Sequence, residues 1–326
     1  MAGKTQIRDV IIVGSGAAGY TAAIYAARAG LDTLVIEGHE PGGALGVAGN
    51  VDNYPGFGPF VSGPALADAM RRQAQDFGAE LRPGYVDRFD LGDESKTLGT
   101  SDAQYRGRTV ILAMGSAPRP LNVPGERDLF GRGVSTSAKR DGAEFTGRDV
   151  AVIGGGDGAV EEALHLAQLA RSVTVIHHRH RLRASAIAVA RLQAHPNVAI
   201  LTSTEVRAVN GGQHVSGVRV CDTRHGGEST IEVAAVFVAV GQAPCSDLLI
   251  GLVELDADGH ILTKGDTTHT SAEGVFAAGD LIDPRYRQAV TAAASGCAAA
   301  LDAQRWLSQL HSPLSDSIAR KGKIPS

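Results

Sequence analysis

The sequence predicts an α/β protein with two dinucleotide-binding, Rossmann-like domains, one of which is inserted in the other. Two glycine-rich turns, at residues 14–19 and 154–159, carry this prediction. Each turn directly follows a short apolar run and precedes a stretch of small residues, which is the order of strand, turn and helix that holds a dinucleotide. The glycines without that context would be weak evidence, because ordinary turns are also rich in glycine.

Two proline-containing joints predict the insertion. Ser116–Pro124 and Val240–Pro244 bracket the second glycine-rich turn, so the chain leaves the first domain and later returns to it. We expect these joints to act as a hinge near residues 117–120 and 243–247. The expected parts are a first domain of residues 1–117 and 246–326, a second domain of residues 118–245, and a flexible tail of residues 311–326.

The first unit begins at a short apolar strand, Val10–Val13, which suits a position buried on both faces of a sheet. In the turn that follows, the first glycine allows the tight turn and the second lets the backbone approach a pyrophosphate. The third lets the helix, predicted over Tyr20–Ala29, pack closely on the strand. Glu37 follows the next strand, Thr33–Ile36, and lies 18 positions after the last glycine of the turn. An acidic side chain at this spacing binds the hydroxyls of a ribose.

The second unit repeats this order but ends in cations. A strand over Val150–Ile153 leads into the turn, a helix is predicted over Val160–Ala170, and the next strand over Val173–Ile176. Residues 177–183 then read HHRHRLR where the first unit has an acid. Arginines bind a 2′-phosphate at this position, whereas an acid would repel it, so the second unit is expected to hold NADP. The alternative is a solvated charged loop.

Apolar periodicity and turn residues predict the remaining elements. They are an amphipathic helix over Gly63–Phe77, a strand over Thr109–Met114, short strands between Ser203 and Val240, strand character over His260–Ala278 and a final alanine-rich helix over Ala289–Leu310.

Composition and charge argue against several function classes. The 326 residues carry a net charge of −4, which gives no overall attraction to nucleic acid or to an anionic membrane surface. No apolar run reaches the roughly 18 residues that a membrane span needs, and the N-terminus lacks the apolar core of a signal peptide. The three cysteines, Cys221, Cys245 and Cys297, lie far apart and have neither disulfide-framework nor metal-site spacing. We expect a cytoplasmic protein that binds no metal, nucleic acid or membrane.

Several ordered motifs resemble those of one family. They are GSGAAGYTAAIYAARAG from Gly14, GGALGVAGNVDNYPGF from Gly42, VILAMGSAPR from Val110, GRGVSTSAKRDG from Gly131, VAVIGGGDGAVEEA from Val150, HHRHRLRA from His177 and VFAAGDLIDPRYRQAVTAAASGCAAA from Val275. With these motifs the chain resembles the low-molecular-weight thioredoxin reductases, most closely those of actinobacteria, over about residues 8 to 308. The resemblance implies an NADPH-dependent flavoprotein oxidoreductase that forms a homodimer, with FAD in the first domain and NADPH in the second.

The resemblance also implies which residues bind the cofactors. For FAD these are Gly14, Gly16, Ala17, Gly19, Glu37, Gly43, Leu45, Asn53, Ala113, Gly115, Gly279, Asp280, Gln288 and Ala289. For NADPH they are Gly154, Gly156, Asp157, Ala159, His177, His178, Arg179, Arg183 and Gly241. The family usually has His-Arg-Arg where this chain has His177-His178-Arg179, which weakens the expected binding of the 2′-phosphate without removing it.

The chain departs from the family at the redox motif. Where the family carries Cys-Ala-Thr-Cys-Asp, residues 137–141 read Ser-Ala-Lys-Arg-Asp. A hydroxyl and a guanidinium cannot accept electrons from a flavin, and none of the three cysteines belongs to a Cys-x-x-Cys pair. The candidate catalytic residues are Ser137, Arg140 and Asp141, and their roles are left open. Asp141 either pairs with a neighbouring cation or starts the next turn. Ser137 either forms a hydrogen bond with the flavin edge or is inert. Cys297 is expected to be a buried structural thiol.

The favoured function is an FAD-dependent NADPH oxidoreductase that passes electrons from the reduced flavin directly to an external acceptor, either a ferredoxin- or flavodoxin-like protein or oxygen. The alternative is a small-molecule redox flavoenzyme of a specialised pathway, in which the vacated cysteine site becomes the substrate pocket and Arg140 holds a carboxylate. A non-catalytic nucleotide-binding protein is disfavoured because the motifs for both cofactors are intact. Reduction of a small disulfide directly by flavin is disfavoured because flavin–thiolate chemistry normally uses a protein cysteine.

Overall fold

A computed structural model describes residues 6–57, 61–92 and 95–310, and its elements divide between two units. Unit 1 contains the residues up to Ser116 and from Pro244 onward, and unit 2 contains Ala117–Ala243. Unit 2 is therefore inserted between two segments of unit 1. The tail expected at residues 311–326 lies outside the described residues.

Strands and helices are numbered in chain order over both units. The strands of unit 1 are β1 (Ile7–Val13), β2 (Thr33–Ile36), β3 (Asn50–Val51), β4 (Val61–Ser62), β5 (Glu80–Arg82), β6 (Arg88–Asp90), β7 (Lys96–Gly99), β8 (Gln104–Leu112) and β19 (Val275–Ala277). Its helices are α1 (Ala17–Arg28), α2 (Gly43–Gly46), α3 (Gly63–Asp76) and α7 (Ala289–Leu310), with 3₁₀ turns at Asp247–Leu249 and Gly279–Leu281.

A seven-stranded sheet forms the centre of unit 1, in the order β5-β2-β1-β8-β7-β6, with β19 beside the end of β8. Strands β5, β2, β1, β8 and β19 are parallel, whereas β7 is antiparallel to both β6 and β8. In this register Val13 lies between Ile36 and Leu112, and Leu112 pairs with Ala277. The carboxyl ends of β2, β1, β8 and β19 therefore meet at one edge.

Strand β1 is buried on both faces, as its uninterrupted apolar run predicts. Val10 and Ile12 pack with the helices α1 and α7, while Ile11 and Val13 pack in a second core on the opposite face. Helices α1 and α7 approach closely because Gly296 has no side chain. A Cβ atom at this position would lie only 2.1 Å from the carbonyl oxygen of Ala18.

Unit 2 contains two sheets. Its strands are β10 (Val134–Ser135), β11 (Asp149–Ile153), β12 (Ser172–Ile176), β13 (Val198–Leu201), β14 (Thr204–Gly211), β15 (Val215–Asp222), β16 (Glu228–Glu232) and β17 (Ala235–Val238). Its helices are α4 (Ala138–Asp141), α5 (Asp157–Ala167) and α6 (Ala186–Gln193), with a 3₁₀ turn at Gly142–Phe145. The connecting segments form a two-stranded sheet of β9 (Ser116–Pro118) and β18 (Gln242–Pro244).

The larger sheet of unit 2 is parallel, in the order β10-β17-β11-β12-β13, and β14-β15-β16 form an antiparallel sheet. Val150 and Val152 of β11 pack with α5, whereas Ala151 and Ile153 pack with the valines of β15. The predicted α/β fold class is therefore confirmed, because each glycine-rich turn follows a central strand of a parallel sheet.

Several predicted boundaries were wrong. Strand β8 covers Gln104–Leu112 rather than Thr109–Met114, because its first half pairs with β7. Helices α1 and α5 begin three residues early, at Ala17 and Asp157, since the small residues of each turn fit into the first helical turn. The segment His260–Ala278 contributes β19 alone as a strand, because its other residues form turns and isolated bridges. No helix in the described part of the chain is both long and apolar enough to cross a membrane.

Candidate functional site

The candidate FAD residues meet at the carboxyl edge of the unit 1 sheet. Gly14 follows β1, Ala113 follows β8 and Gly279 lies just beyond β19. Glu37 follows the neighbouring strand β2. In open parallel sheets ligands bind at this edge, where the connections of neighbouring strands leave in opposite directions.

Each glycine of the first turn is required for a different reason. Gly14 has φ +106°, and a Cβ atom there would lie 2.3 Å from the carbonyl oxygen of Ala113. A Cβ atom on Gly19 would lie 2.0 Å from the oxygen of Gly14, so only glycine lets α1 pack on the turn. A Cβ atom on Gly16 would meet nothing within 4 Å. Open space therefore adjoins the backbone of Gly16, the N-cap of α1, where a pyrophosphate fits.

The Glu37 carboxylate is buried and already held by two side chains. Its Oε1 accepts hydrogen bonds from the Tyr20 hydroxyl and from Nε of Arg71, both at 2.8 Å, and its Oε2 accepts from Nη2 of Arg71 at 3.1 Å. Burial, and then the bond with Glu37, raise the pKa of Tyr20, while the bond with Glu37 raises the pKa of Arg71. A carboxylate has about four acceptor positions, so Oε2 retains one for a ribose hydroxyl.

A second glycine pair lies against the first turn. The Ser15 hydroxyl donates to the carbonyl oxygen of Glu37 at 2.6 Å and accepts from the amide of Gly42 at 3.2 Å. Gly42 and Gly43 both have positive φ, and a Cβ atom on Gly43 would lie 3.2 Å from Cα of Gly16. The two glycine-rich segments thus form one backbone-lined cradle.

The structure also brings together two predicted FAD residues that are 235 positions apart. Nδ2 of Asn53 donates to Oε1 of Gln288 at 3.1 Å, and both side chains are exposed. Gln288 directly precedes Ala289, the first residue of α7. The amide pair therefore lies at the start of α7 and remains accessible to a ligand.

Another predicted FAD residue, Leu45 in α2, is buried.

Asp280 has a partner that the sequence analysis missed. Its Oδ2 accepts a hydrogen bond from the Ser116 hydroxyl at 2.8 Å. The amide of Gly279 donates to the Ser295 hydroxyl at 2.8 Å, and Gly279 and Gly115 both have positive φ. These contacts orient the Asp280 carboxylate at the same sheet edge as the first glycine-rich turn.

The glycine-rich turn of unit 2 places its glycines in surroundings similar to those in the turn of unit 1. Gly154 has φ +151°, and a Cβ atom there would lie 2.3 Å from the carbonyl oxygen of Ala239. A Cβ atom on Gly156 would meet nothing within 4 Å. Ala159 is buried at the third position, and its Cβ atom would lie 2.8 Å from a Cβ on Gly154. Open space therefore adjoins the backbone at Gly156, as it does at Gly16.

Two further predicted NADPH residues have structural contacts. Oδ1 of Asp157, at the start of α5, accepts from the amide of Ser185 at 2.9 Å. Gly241 has φ +113°, and its carbonyl oxygen accepts from the amide of Arg119 at 2.9 Å. Asp157 therefore connects α5 to the chain that follows the cationic segment.

The cationic segment, residues 177–183, is bonded directly to the turn. The amides of Arg183 and Ala184 donate to the carbonyl oxygen of Gly155 at 2.6 and 3.1 Å. His177 is 3% exposed, and a Cβ atom on Gly155 would lie 2.4 Å from its Nδ1. Burial, and then the neighbouring cationic side chains, lower the pKa of His177, so a neutral imidazole supports the turn.

The arginines of the cationic segment lack acidic partners. Among the described residues, Arg179, Arg181 and Arg183 form no ion pair, whereas Arg171, just before β12, pairs with Asp149. Nε of Arg179 instead donates to Nε2 of His178 at 3.3 Å. Three exposed, unpaired guanidinium groups beside a helix N-terminus favour binding of an anion.

The three candidate catalytic residues lie in or beside the short helix α4. Ser137 is its N-cap, and the hydroxyl accepts from the amide of Arg140 at 3.4 Å. Arg140 donates through Nε and Nη2 to the two carboxylate oxygens of Asp141, both at 2.9 Å. The Ser135 hydroxyl donates to Oδ2 of Asp141 at 2.5 Å. The bond with Arg140 lowers the pKa of Asp141, so the carboxyl is ionised and does not donate a proton near neutral pH.

A cavity of about 220 Å³ lies beside α4. Its lining includes Gly131, Gly133, Val134, Ser135, Arg140, Asp141, Glu144 and Phe145. On the other side of the helix, the carboxylate of Glu162 accepts a hydrogen bond from the amide of Ala138, and burial raises the pKa of Glu162. This bond fixes the first turn of α4.

The cysteines do not form a redox pair in the described residues. All three are free: Cys221 is buried, Cys297 is partly buried and Cys245 is exposed. The expectation for Cys297 was wrong in degree, because its thiol, within α7, is only partly buried and bonds with Tyr25, which raises the pKa of that phenol. The described residues contain no group of three or more side chains that could hold a metal ion.

Comparisons with known proteins identify the family. The model of the family described as pyridine nucleotide-disulphide oxidoreductase matches residues 8–296. The chain is 52% identical over 309 residues to a thioredoxin reductase of Mycolicibacterium smegmatis, covering 95% of this chain and 99% of that protein. It is 53% identical over 304 residues to a bifunctional thioredoxin reductase/thioredoxin of Mycobacterium leprae (strain TN), covering 93% of this chain and 66% of that protein. The chain belongs to the thioredoxin reductase family.

A solved thioredoxin reductase structure shares the fold. The Lactococcus lactis thioredoxin reductase, in its FR conformation, matches with a TM-score of 0.84 and 34% identity, covering 93% of this chain and 99% of that chain. Members of the thioredoxin reductase family bind FAD and NADPH, and this chain is an FAD- and NADPH-dependent oxidoreductase of that fold.

Sequence reasoning missed the side chains that hold the predicted residues in place. Arg71 and Tyr20 hold Glu37, Ser116 holds Asp280, and Ser135 holds Asp141. One signal was available for Ser116, a hydroxyl directly after Gly115, which follows β8. No signal was available for Arg71, because only the packing of α3 brings it to Glu37 from 34 positions away.

Proposed function

We propose that this thioredoxin reductase homologue works without a redox-active disulfide and passes electrons from its flavin directly to an external acceptor, either a ferredoxin- or flavodoxin-like protein or oxygen. One observation carries the proposal. Ser137 is the N-cap of α4 and Arg140 lies in its first turn, so the two positions have the helix N-terminal geometry in which a Cys-x-x-Cys pair is reactive. Neither side chain contains sulfur, and the chain is thus an atypical member of its family.

The environment of Asp141 supports this proposal. A dithiol pathway needs an acid that protonates a departing thiolate. Asp141 is kept ionised by Arg140 and Ser135, so it does not supply that proton. The segment has therefore lost the thiols, and its remaining carboxylate is held in an ion pair with Arg140.

The proposed cofactor sites use the two glycine-rich turns. In unit 1, the backbone of Gly16 and the N-terminus of α1 would hold the FAD pyrophosphate, while Oε2 of Glu37 and the Asp280 carboxylate would bind its hydroxyls. The residues that would bind FAD are Gly14, Gly16, Ala17, Gly19, Glu37, Gly43, Leu45, Asn53, Ala113, Gly115, Gly279, Asp280, Gln288 and Ala289. Bound FAD supplies the hydride acceptor and the electron donor of the reaction.

In unit 2, Gly156 and the N-terminus of α5 would hold the NADPH pyrophosphate, and Arg179 and Arg183 would hold its 2′-phosphate. The residues that would bind NADPH are Gly154, Gly156, Asp157, Ala159, His177, His178, Arg179, Arg183 and Gly241. Hydride transfer requires the nicotinamide to reach the flavin, so we expect the connections β9 and β18 to act as a hinge. Thioredoxin reductases are typically homodimers, which supports the same assembly here, and we propose a cytoplasmic location.

The cavity beside α4 favours a second candidate, a small-molecule redox flavoenzyme. Arg140 lines this cavity and could bind a carboxylate substrate. Because Asp141 already binds the guanidinium through two hydrogen bonds, a substrate carboxylate would have to displace it. This competition makes the pocket the weaker of the two proposals.

An anaerobic titration with NADPH, followed by mixing with separate acceptors, tests the proposed function. We expect about one equivalent of NADPH to bleach the FAD absorbance, and ferredoxin, flavodoxin or oxygen to restore it. Thioredoxin and an aromatic disulfide should restore it no faster than buffer. Fast reoxidation by thioredoxin would refute the proposal, as would an FAD absorbance that NADPH leaves unchanged. Slow reoxidation by every protein acceptor and by oxygen would favour the small-molecule alternative.

The double variant Arg179→Ala/Arg183→Ala tests the NADPH assignment. Each hydrogen bond to a charged group contributes about 1.5–3 kcal/mol, so we expect the KM for NADPH to rise at least about 100-fold while the KM for NADH changes less than about threefold. Arg219→Ala, in β15, is the control for the loss of a positive charge. Equal losses for both nucleotides would contradict the assignment of the phosphate to these arginines.

A further inference from the structure

Among the described residues, His178 is the one side chain that forms a hydrogen bond with a guanidinium of the cationic segment. Its Nε2 accepts a hydrogen bond from Nε of Arg179 at 3.3 Å. Its ring lies 4.8 Å from the buried ring of His177, measured between centroids. The exposed side chain of His178 therefore lies between a fixed cation and a neutral imidazole.

No carboxylate of the described residues bonds with His178. On its own segment the charged or titratable neighbours are His177, Arg179, His180, Arg181 and Arg183. On the elements that adjoin the segment they are Asp157 in α5, Glu205 and Arg207 in β14, Asp222 in β15 and Arg224 in the following turn. The three carboxylates already have partners, because Asp157 accepts from the Ser185 amide, Glu205 pairs with Arg207 at 3.1 Å, and Asp222 pairs with Arg224 at 2.8 Å.

A proton on His178 would meet no carboxylate partner among the described residues until an anion binds. It would place a second cation beside Arg179 and remove the hydrogen bond that Nε2 accepts. A phosphate dianion bound by Arg179 and Arg183 reverses this balance, because it attracts an imidazolium and accepts its hydrogen bond. Histidine is the side chain whose charge changes most readily between pH 5 and 8.

We propose that His178 makes the affinity for NADP(H), but not for NAD(H), depend on pH, because binding of the 2′-phosphate adds a proton to this imidazole. The inference rests on the proposed NADPH site. His178 is protonated in the complex with NADP(H), so its contribution to the binding affinity is present at low pH and is lost as pH rises. Arginine at this position would keep its charge throughout, and the chain thus exchanges a permanent cation for a titrating one.

The test is isothermal titration calorimetry of the FAD-loaded protein with NADP⁺ and NAD⁺ between pH 6 and 8.5. Two buffers of different ionisation enthalpy at each pH give the number of protons taken up. The variants are His178→Gln, which is neutral, and His178→Arg, which is always charged. His214→Gln, in the exposed β14–β15 turn, is the control for loss of a histidine. The free nucleotides titrate identically in every experiment, so a proton uptake that exceeds that of both variants is assigned to His178.

We expect the native protein to take up more protons per NADP⁺ than His178→Gln or His178→Arg near pH 7, and no proton with NAD⁺. A charge-assisted hydrogen bond predicts that native NADP⁺ affinity exceeds that of His178→Gln about tenfold at pH 6 and equals it at pH 8.5. If NADP⁺ binds more tightly than NAD⁺ but native protein and His178→Gln have the same pH profile, this inference is wrong and the proposed function stands. If NADP⁺ binds no more tightly than NAD⁺, the phosphate assignment and this inference are both wrong.

Discussion

Replacing both Ser137 and Arg140 with cysteine should create a disulfide reductase activity that, under the proposed function, the native chain lacks. The two residues are the N-cap and a first-turn residue of α4, where a Cys-x-x-Cys pair has a reactive N-terminal thiol. Loss of Arg140 also removes the two hydrogen bonds that hold Asp141 ionised, so the pKa of this carboxyl should rise toward its ordinary value. The double variant thus regains the thiols and releases the Asp141 carboxylate from its ion pair.

The expected gain is at least about 100-fold in the rate of NADPH-dependent reduction of an aromatic disulfide, equivalent to about 2.7 kcal/mol of activation free energy. Thioredoxin reduction should also become measurable. The double variant should fold, because changing an N-cap serine costs about 1 kcal/mol and an exposed ion pair contributes about 0–1 kcal/mol. The rate is measured with NADPH at 340 nm and the disulfide by mass spectrometry.

The two single cysteine variants and Ser137→Ala/Arg140→Ala are the controls, and all three should stay at the native rate. A double variant that forms the disulfide but reduces no substrate would show that the missing cysteines do not explain the missing pathway. A native protein that already reduces thioredoxin at a comparable rate would contradict the proposal directly.

Replacing Gly16 with alanine should weaken FAD binding without destabilising the fold. Replacing Gly19 with alanine should destabilise the fold itself. A Cβ atom on Gly16 meets nothing within 4 Å, so Gly16→Ala should leave the free energy of unfolding of the apoprotein unchanged within about 0.5 kcal/mol. If a pyrophosphate lies in this space, the same methyl group displaces it, and FAD affinity should fall at least about 100-fold.

Gly19→Ala places its Cβ atom 2.0 Å from the carbonyl oxygen of Gly14, a backbone atom that cannot move without moving β1 or α1. We expect the apoprotein to lose about 3 kcal/mol of unfolding free energy or more. Denaturant unfolding of apoprotein and fluorescence titration with FAD measure both effects. Gly227→Ala, at an open position in unit 2, is the control. Native FAD affinity in Gly16→Ala would exclude the pyrophosphate from this turn.

The glycine-rich turns could be predicted because their requirements are local. A positive φ at Gly14 and a backbone contact at Gly19 each restrict one residue to glycine within a six-residue motif, and the open position at Gly16 lies between them. The same holds for the buried strand β1, whose unbroken apolar run needs no knowledge of its neighbours. The absence of the cysteine pair could be established from the sequence because it depends only on which residues are present.

Element boundaries outside these motifs could not be predicted, because strand pairing decides them. The first half of β8 is a strand because β7 pairs with it, and most of His260–Ala278 is not, because it lacks a continuous partner. The sequence pattern records apolar residues but does not record which strand edge is available.

The sequence by itself therefore determined the fold class, the two glycine-rich turns and the absence of a Cys-x-x-Cys pair. Only the tertiary structure decided how the charged groups are paired. Arg71 neutralises Glu37 from 34 positions away, and Asn53 meets Gln288 from 235 positions away. Arg140 and Asp141 are neighbours in sequence, but the sequence left open whether they pair. In α4 both side chains lie beside Ser135, and Arg140 binds Asp141. Ion pairs and hydrogen bonds act over about 3 Å, and only the folded chain determines which groups come that close.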